Sequence, residues 1–347
     1  MKLKFYILTS ENLTALKRHF DLEFSSVSKE QAVVVINTLD RQYENLAKSY
    51  CEKEGIEHYV TNSNGTPARG KNAVMDIFMA SDNDYCVMVD GDDFLTKHGV
   101  WMYNHLATVE TPPDAVCLVN QFSYRRFEKE GVVAVNPFIV DYKRERKTNY
   151  YKVFKNTKGV NHKKATSLAN LHKNYCDNQQ KYSEGNEVHC RVTWFSRRAA
   201  TFRFDESLRI GEDTLHMLRL KHEAITNGLR FYSTDERPAT YIYDECTLGI
   251  VLRDSKLGAD CSWMRPYLTA LGKMKRQGQL HAHTLLPELK ICYPANLTYD
   301  AVAVETSYVY ELPDGNFGFP KNATEESVTN AFSFLITNAL IEDRKVA

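Results

Sequence analysis

The chain has 347 residues, with 44 basic and 44 acidic side chains and a formal net charge of zero. This balance excludes a uniformly basic nucleic-acid coat protein and an acidic solvating tail. Hydrophobic residues make up 43% of the chain and aromatic residues 12%, so we expect a globular protein with a substantial core.

The sequence contains no run near the roughly 18 apolar residues that a membrane-spanning helix needs. The start of the chain has only a short apolar run, Phe5 to Leu8, and shows no signal-peptide pattern. We therefore expect a protein of the cytoplasm with no membrane partner. Its eight cysteines include no C-x-x-C pair, which favours free thiols over a zinc site.

The first hundred residues alternate between strand-like and helix-like patterns. Apolar strand candidates cover residues 4–9, 33–36, 56–60 and 85–89, and apolar residues at helical spacing lie between them, the last such stretch being 69–80. This alternation predicts an α/β fold with a mostly parallel sheet flanked by helices. A further strand at 115–119 and a block at 192–224 extend it.

The remainder of the chain is less regular. Helical patterns cover 261–275 and 325–340, and a strand-like run covers 299–310. We expect a main domain at 1–254, with an insertion at about 141–182, and a C-terminal helical and β extension at 255–347 that packs on it.

The fourth strand candidate runs directly into Asp90, Gly91, Asp92 and Asp93. Ligands bind outside the carboxyl ends of parallel strands, where a crevice opens. Hard cations such as Mg²⁺ and Mn²⁺ take carboxylate oxygens and keep positions for phosphates, so Asp90 and Asp92 are candidate metal ligands. The alternative is an acidic surface turn, since Asp-Gly is frequent in turns.

A second acidic pair, Glu212 and Asp213, precedes a helical stripe through Leu215 and Leu218. A helix N-terminus stabilises an ionised carboxylate, and such a group can accept a proton from an attacking hydroxyl. The alternative is simple helix capping.

Three motifs in this order resemble a known family: D-G-D-D at 90–93, W-F-S-R-R at 194–198 and F-D-E-S-L-R-I-G-E-D-T at 204–214. They resemble nucleotide-sugar-dependent glycosyltransferases of the GT-A fold, particularly the large inverting family 2. Asn64-Gly65 and the run A-R-G-K-N at 68–72 resemble a further segment of that family. The resemblance covers about residues 3 to 250.

The resemblance implies a metal-dependent transfer from a nucleotide sugar, with a UDP-sugar as donor and Mn²⁺ or Mg²⁺ as cofactor. Asp213, with Glu212, would serve as the base, and Asp92 and Asp90 as metal ligands. His281 or His283 is a candidate third ligand, against the more common structural role of such histidines. The implied donor-binding residues are Thr9, Glu11, Asp40, Arg69, Lys71, Asp90, Gly91 and Asp92. For Lys71 a solvated helix N-terminus is a nearly equal alternative.

Two segments depart from the family pattern. The first-strand loop reads T-S-E-N at 9–12, and the second strand ends in N-T-L-D at 37–40, where the family has other residues. Thr9, Glu11 and Asp40 are therefore donor-binding candidates by position only.

The segment 143–181 has eleven Lys and Arg residues against two acids, a net charge of +9. Its interleaved aromatic residues would allow stacking on bases, and its cations would bind a phosphate backbone. The alternatives are an anionic lipid, an acidic glycan or a solvated loop. The candidate acceptor-binding residues are Lys143, Arg144, Arg146, Lys147, Lys152, Lys155, Lys163 and Lys164.

The hypothesis that follows is sugar transfer to hydroxymethylcytosine in DNA, with glucose or arabinose as the sugar. A phage enzyme of this kind would act in the host cytoplasm. Two alternatives stay open: a glycosyltransferase acting on a surface glycan or a protein, and a non-catalytic nucleic-acid-binding module.

Overall fold

The computed structural model describes residues 1–21, 27–95, 97–118, 191–209, 211–234, 241–244, 264–281, 284–292 and 294, with short strands within 122–139 and at 310–311 and 317–318. Several predictions lie outside these residues: the basic segment, the helix at 325–340, most of the strand at 299–310, and His283.

The helices are α1 (Leu13–Asp21), α2 (Arg41–Glu54), α3 (Pro67–Ala80), α4 (Lys97–Leu106), α5 (Glu212–Asn227) and α6 (Met264–Arg276), with a 3₁₀ turn at Ala199–Thr201. The strands are β1 (Leu3–Thr9), β2 (Ala32–Thr38), β3 (Glu57–Asn62), β4 (Tyr85–Asp90), β5 (Phe94–Leu95), β6 (Ala115–Leu118), β7 (Phe122–Tyr124), β8 (Arg126–Lys129), β9 (Val132–Val135), β10 (Phe138–Ile139), β11 (Arg191–Ser196), β12 (Phe231–Thr234), β13 (Tyr241–Asp244), β14 (Glu288–Leu289), β15 (Tyr310–Glu311) and β16 (Phe317–Gly318).

The main sheet has eight strands in the order β14-β12-β6-β11-β4-β1-β2-β3. All neighbours in it are parallel except β11, which is antiparallel to β4 and β6. Residues 32–37 of β2 are buried, as expected for a strand covered on both faces. The predicted α/β fold with a mostly parallel, helix-flanked sheet is confirmed.

Helix α3 begins at Pro67, two residues earlier than the apolar periodicity predicts. The hydroxyl of Thr66 caps the helix by accepting from the Arg69 amide. Proline suits the first helical position because its missing N–H has no partner there and its φ is already helical. The loop between β3 and α3 therefore ends at Thr66.

Two hydrophobic clusters lie on the two faces of the sheet. The first includes Phe78 of α3, Leu218 of α5 and Tyr267 of α6. The second includes Leu16 of α1, Tyr43 of α2 and Tyr103 of α4. Among the described residues, three helices thus pack on each face of the sheet.

Residues beyond 254 contribute directly to this core. Tyr267, Leu271, Met274 and Leu286 belong to the first cluster. Strand β14 extends the main sheet in parallel with β12, with Ser233 opposite Glu288. Helix α6 and β14 therefore complete the sheet and one of its faces.

A four-stranded sheet, in the order β10-β7-β13-β5, lies beside the end of β4. Its strand β5 starts at Phe94, directly after the acidic motif, and pairs with β13 through Leu95 and Tyr241. This pairing brings Tyr241 to the acidic motif. Among the described residues, we find no helix with the length and apolar character to cross a membrane.

Candidate functional site

The site lies at the carboxyl edge of the main sheet, where β1 and β4 end side by side. Leu8 is paired with Asp90, and the Gly91 amide donates to the Leu8 carbonyl at 2.6 Å. A Cβ at Gly91 would lie 2.7 Å from that carbonyl oxygen and 2.9 Å from Cα of Thr9. Only glycine lets the ends of β1 and β4 approach so closely. This close approach places Asp90 and Asp92 at the end of the sheet.

Asp90, Asp92 and Asp93 form one carboxylate cluster, with one oxygen of each within 4.8 Å of the others. Two ligands of an octahedral Mg²⁺ at about 2.1 Å from the ion are at most about 4.2 Å apart. Small side-chain rotations would thus bring these oxygens to a shared divalent cation. Hard oxygen donors are also the ligand type that Mg²⁺ and Mn²⁺ prefer, so the residues fit such a metal.

Arg191, the first residue of β11, lies against this cluster. Its Nη1 is 3.0 Å from Asp90 Oδ2 and 2.5 Å from Asp93 Oδ2, and its side chain is 11% exposed. Because β11 is antiparallel to β4, its first residue lies at the edge where β4 ends. Burial alone would lower the pKa of Arg191, but the charges of Asp90 and Asp93 outweigh it and raise the pKa well above its usual value.

Tyr241 joins this group from the neighbouring sheet. Its hydroxyl donates to Asp93 at 2.8 Å, and it accepts from Arg191 Nη1 at 2.5 Å and from the Asp90 amide at 3.3 Å. The Tyr241 side chain is fully buried, and burial raises its pKa well above the usual range. The neutral hydroxyl thus orients both Arg191 and the end of β4.

The second acidic pair begins helix α5. Gly211 precedes it with φ 81°, and a Cβ there would lie 2.5 Å from the Tyr267 ring of α6. Glycine is therefore required for both the backbone conformation and the contact. The helix starts with Glu212 and Asp213, where its dipole favours negative charge.

Lys71 of α3 binds both carboxylates. Its Nζ is 2.9 Å from Glu212 Oε1 and 2.5 Å from Asp213 Oδ1, and its side chain is 4% exposed. Burial alone would lower the pKa of Lys71, but the charges of Asp213, Glu212 and Asp90 raise it. Instead of a solvated helix end, Lys71 forms the centre of a buried ion network.

The two carboxylates of this pair differ. The Asp213 side chain is 31% exposed and that of Glu212 is 8% exposed. Burial opposes ionisation of Asp213, but Lys71 and Arg191 hold its pKa below the usual value. For Glu212, burial dominates and raises the pKa. Asp213 is thus the more accessible member and the one whose pKa is lowered.

The loop before α5 is fixed by Asn72 of α3. Its amide accepts from the Phe204 amide at 2.9 Å and donates to the Phe204 carbonyl at 3.0 Å and to Glu206 at 2.8 Å. Arg69 lies nearby, 3.5 Å from Glu206, and donates to the Asn62 carbonyl at 3.1 Å. These contacts set the path of the chain into Asp213.

His216 lies one turn after Asp213 and is buried. Its Nε2 donates to the Phe202 carbonyl at 2.9 Å, and its ring stacks on Phe204 at 3.9 Å. Burial lowers its pKa to about 4. It therefore supports the loop as a neutral imidazole.

The remaining predicted donor-binding residues lie along the same edge, with different partners. Thr9 lies beside Gly91, and its buried hydroxyl forms a hydrogen bond with the Tyr43 hydroxyl. Asp40 caps α2 by accepting from the Gln42 and Tyr43 amides, and its side chain is exposed, as is Glu11. Donor contacts by these residues stay predictions.

His281 pairs with His222 of α5, with Nε2 and Nδ1 2.9 Å apart and the rings stacked. His222 follows Asp213 by nine residues, about 13 Å along the helix. The metal-ligand role of His281 stays a prediction.

Arg191 and Tyr241 are functional candidates that the sequence reasoning missed. They reach the acidic cluster through strand pairing, 98 and 148 residues away from Asp93 in the chain. The only sequence signal for Arg191 is its charge directly before the strand residues V-T-W-F. This charge indicates a place at the acidic cluster only once β11 is known to run antiparallel to β4.

No protein-family model matches this chain, and no curated protein matches it. Among solved structures, S. aureus TarS is similar with a TM-score of 0.39 and 15% identity, over 70% of this chain and 37% of that chain. TarS 1-349 in complex with UDP-GlcNAc gives a TM-score of 0.38 and 13% identity, over 71% of this chain and 59% of that one. This chain thus matches less than two thirds of either structure.

The inositol-1-phosphate CTP transferase from T. maritima gives a TM-score of 0.31 and 10% identity, over 76% of this chain and 96% of that one. All three TM-scores are below 0.5.

Proposed function

We propose that this protein is a metal-dependent, inverting glycosyltransferase that uses a nucleoside diphosphate sugar, with a UDP-sugar as the first candidate. The observation that carries the proposal is the convergence of two acidic groups at one sheet edge. Asp90 contributes to the raised pKa of Lys71, which binds Glu212 and Asp213. Asp213 likewise contributes to the raised pKa of Arg191, which binds Asp90 and Asp93. The two groups thus act on one another electrostatically.

Asp213 is the proposed base. It is ionised, partly exposed and placed at a helix N-terminus, so it can accept the proton of an acceptor hydroxyl as that hydroxyl attacks the anomeric carbon. Glu212 is less suited because it is buried and its pKa is raised. Its proposed role is to hold Lys71.

Asp90 and Asp92 are the proposed ligands of Mn²⁺ or Mg²⁺. When bound, such a cation neutralises charge on a departing nucleoside diphosphate. Gly91 keeps both carboxylates at the sheet edge, and Arg69 and Thr9 are proposed to face the donor.

The first experiment measures metal-dependent hydrolysis and transfer with a panel of nucleotide sugars. Asp92→Asn should remove metal-dependent turnover, and Asp213→Asn should lower transfer by about 10²-fold or more while donor binding, measured by thermal shift, persists. Asp82→Asn is the control, because the Asp82 side chain is 78% exposed and pairs only with Lys2 in the described contacts. Turnover that survives both site variants would contradict the proposal, and the absence of turnover with every donor would favour a non-catalytic module.

For the acceptor, we propose hydroxymethylcytosine in DNA. The support is the charge of +9 over 143–181 in a chain of zero net charge. The chain leaves the main sheet at Leu118 and returns at Arg191, which are paired neighbours at the acidic cluster. The ends of this part of the chain therefore lie beside the site.

The acceptor test compares hydroxymethylated DNA, unmodified DNA, a glycan and a protein as substrates. Replacing Lys143, Arg144, Arg146 and Lys147 with alanine should weaken DNA binding. It should also lower the slope of log K against log salt concentration by the contribution of about four phosphate contacts. Transfer to a glycan or protein that is unaffected by these replacements would support the alternative acceptor instead.

A further inference from the structure

Asp93 differs from the other carboxylates of the acidic cluster. Its side chain is 1% exposed, whereas that of Asp90 is 22% exposed. A buried carboxylate is tolerated only when it is paired and hydrogen-bonded. Asp93 meets both conditions through the Arg191 guanidinium and the Tyr241 hydroxyl.

Arg191 in turn divides its interactions between Asp93 and Asp90. A guanidinium cannot lose its proton in a protein, so this positive charge is permanent. It lies 3.0 Å from an oxygen of Asp90, one of the two proposed metal ligands. A divalent cation bound by Asp90 would therefore sit close to a fixed like charge.

We propose that Arg191, held by Asp93 and Tyr241, is a fixed counter-charge that competes with the divalent cation for Asp90 and so sets the metal affinity of the site. This inference rests on the proposed function. It makes Arg191 a positioning residue: it keeps Asp90 and Asp93 in place before the metal arrives, and it lowers the affinity of the carboxylates for the metal alone.

Charge counting supports this role. Asp90, Asp92 and Asp93 carry three negative charges, and Arg191 leaves a net charge of −2 for the cluster. Arg191 thus lowers the negative charge that these side chains present to a divalent cation and to an anionic diphosphate. Tyr241 adds alignment without charge, since its buried hydroxyl bonds Asp93, Arg191 and the Asp90 amide.

The test measures the binding of Mn²⁺ to the full chain, with electron paramagnetic resonance of the free ion as the readout. Arg191→Gln keeps a hydrogen-bond donor and removes the charge, so the Mn²⁺ dissociation constant should fall about tenfold or more, given the Coulomb energy of close like charges. Arg191→Lys keeps the charge, so its Mn²⁺ dissociation constant should stay within about threefold of the wild-type value. Arg276→Gln, an exposed position on α6, is the matched control.

Cooperative thermal unfolding of each variant shows that it is folded. If Arg191→Gln does not fold, Arg191→Gln with Asp93→Asn removes the charge without leaving the buried Asp93 carboxylate unpaired, and the Mn²⁺ dissociation constant should again fall below the wild-type value. Unchanged or weaker Mn²⁺ binding in folded Arg191→Gln overturns the inference, as does a large change in the Lys variant.

The two proposals fail in different ways. If Arg191→Gln binds Mn²⁺ more tightly but no nucleotide sugar is turned over, the proposed function fails and the role of Arg191 stands. If the wild type turns over with Mn²⁺ but Arg191→Gln binds Mn²⁺ as the wild type does, only the role of Arg191 fails. Wild-type protein that binds no Mn²⁺ contradicts both.

Discussion

Lys71 is a buried cation with two buried or partly buried carboxylates as partners. Replacing it with methionine would leave Glu212 and Asp213 without the cation that binds both. We expect Lys71→Met to lower the free energy of unfolding by about 3–5 kcal/mol, the usual cost of removing one partner of a buried pair.

Urea denaturation checks this expectation. Lys53→Met is the matched control, because the Lys53 side chain is 82% exposed and its contact with Glu54 is 4.0 Å long. A loss below about 1 kcal/mol in Lys71→Met, close to the value of an exposed pair, would show that Lys71 is not the centre of the network.

His216 gives a prediction about pH. Its pKa is lowered from 6.5 to about 4 by burial, so the unfolded chain binds a proton at pH values where the folded chain does not. The contribution of neutral His216 to the free energy of unfolding is therefore fully present above the unfolded pKa of about 6.5. It is lost as the pH falls to about 4, by at most about 1.4 kcal/mol per pH unit.

His216→Gln keeps a donor for the Phe202 carbonyl and removes the titration. Its unfolding free energy should change less steeply over this pH range than that of the wild type. Urea denaturation at several pH values measures both slopes, and equal slopes would contradict the assignment of a neutral His216.

At the scale of elements, helix α3 and the loop before α5 act together because Asn72 bonds both the amide and the carbonyl of Phe204. Asn72→Ala would leave two buried backbone groups without their partner. We expect a loss of about 1–3 kcal/mol in the free energy of unfolding. Turnover should also fall, since this loop leads into Asp213.

Asn227→Ala is the control for this variant. Asn227 is exposed at the end of α5 and bonds only Glu223 among its described side-chain partners. Turnover of Asn72→Ala equal to that of the control would show that the loop does not position the proposed base.

At the scale of the whole molecule, described residues beyond 254 pack on one face of the sheet. Tyr267, Leu271, Met274 and Leu286 are each at most 7% exposed, and Tyr267 contacts the start of α5 at Gly211. A chain that ends at residue 254 would expose that face. We expect it to lose cooperative thermal unfolding, measured by circular dichroism. Cooperative unfolding of this truncated chain would show that 1–254 folds independently.

The sequence predicted the repetitive part of the fold well, because buried parallel strands and amphipathic helices leave periodic patterns. It also indicated Asp90, Asp92, Glu212 and Asp213 as candidate site residues, since these carboxylates directly follow a strand or start a helix. Their partners could not be derived in the same way. Lys71 has the pattern of an exposed helix start, and its burial depends on how α3 packs beside α5.

Arg191 and Tyr241 illustrate the same limit at longer range. Their contacts depend on the direction of β11 and on the pairing of β13 with β5. Neither is encoded in local periodicity. The candidate site was therefore predicted as two separate acidic motifs, and the cations that join them came from tertiary structure.

The pairing of Arg191 with Leu118 also limits the length of chain that is needed to connect β10 to β11. Ile139 is paired with Phe122, four residues beyond Leu118, so Ile139 and Arg191 lie within about 25 Å of each other. A linker of about ten residues can span that gap. A variant in which such a linker replaces 140–190 would therefore separate the contribution of the basic segment, with its charge of +9, from that of the carboxylates at the sheet edge.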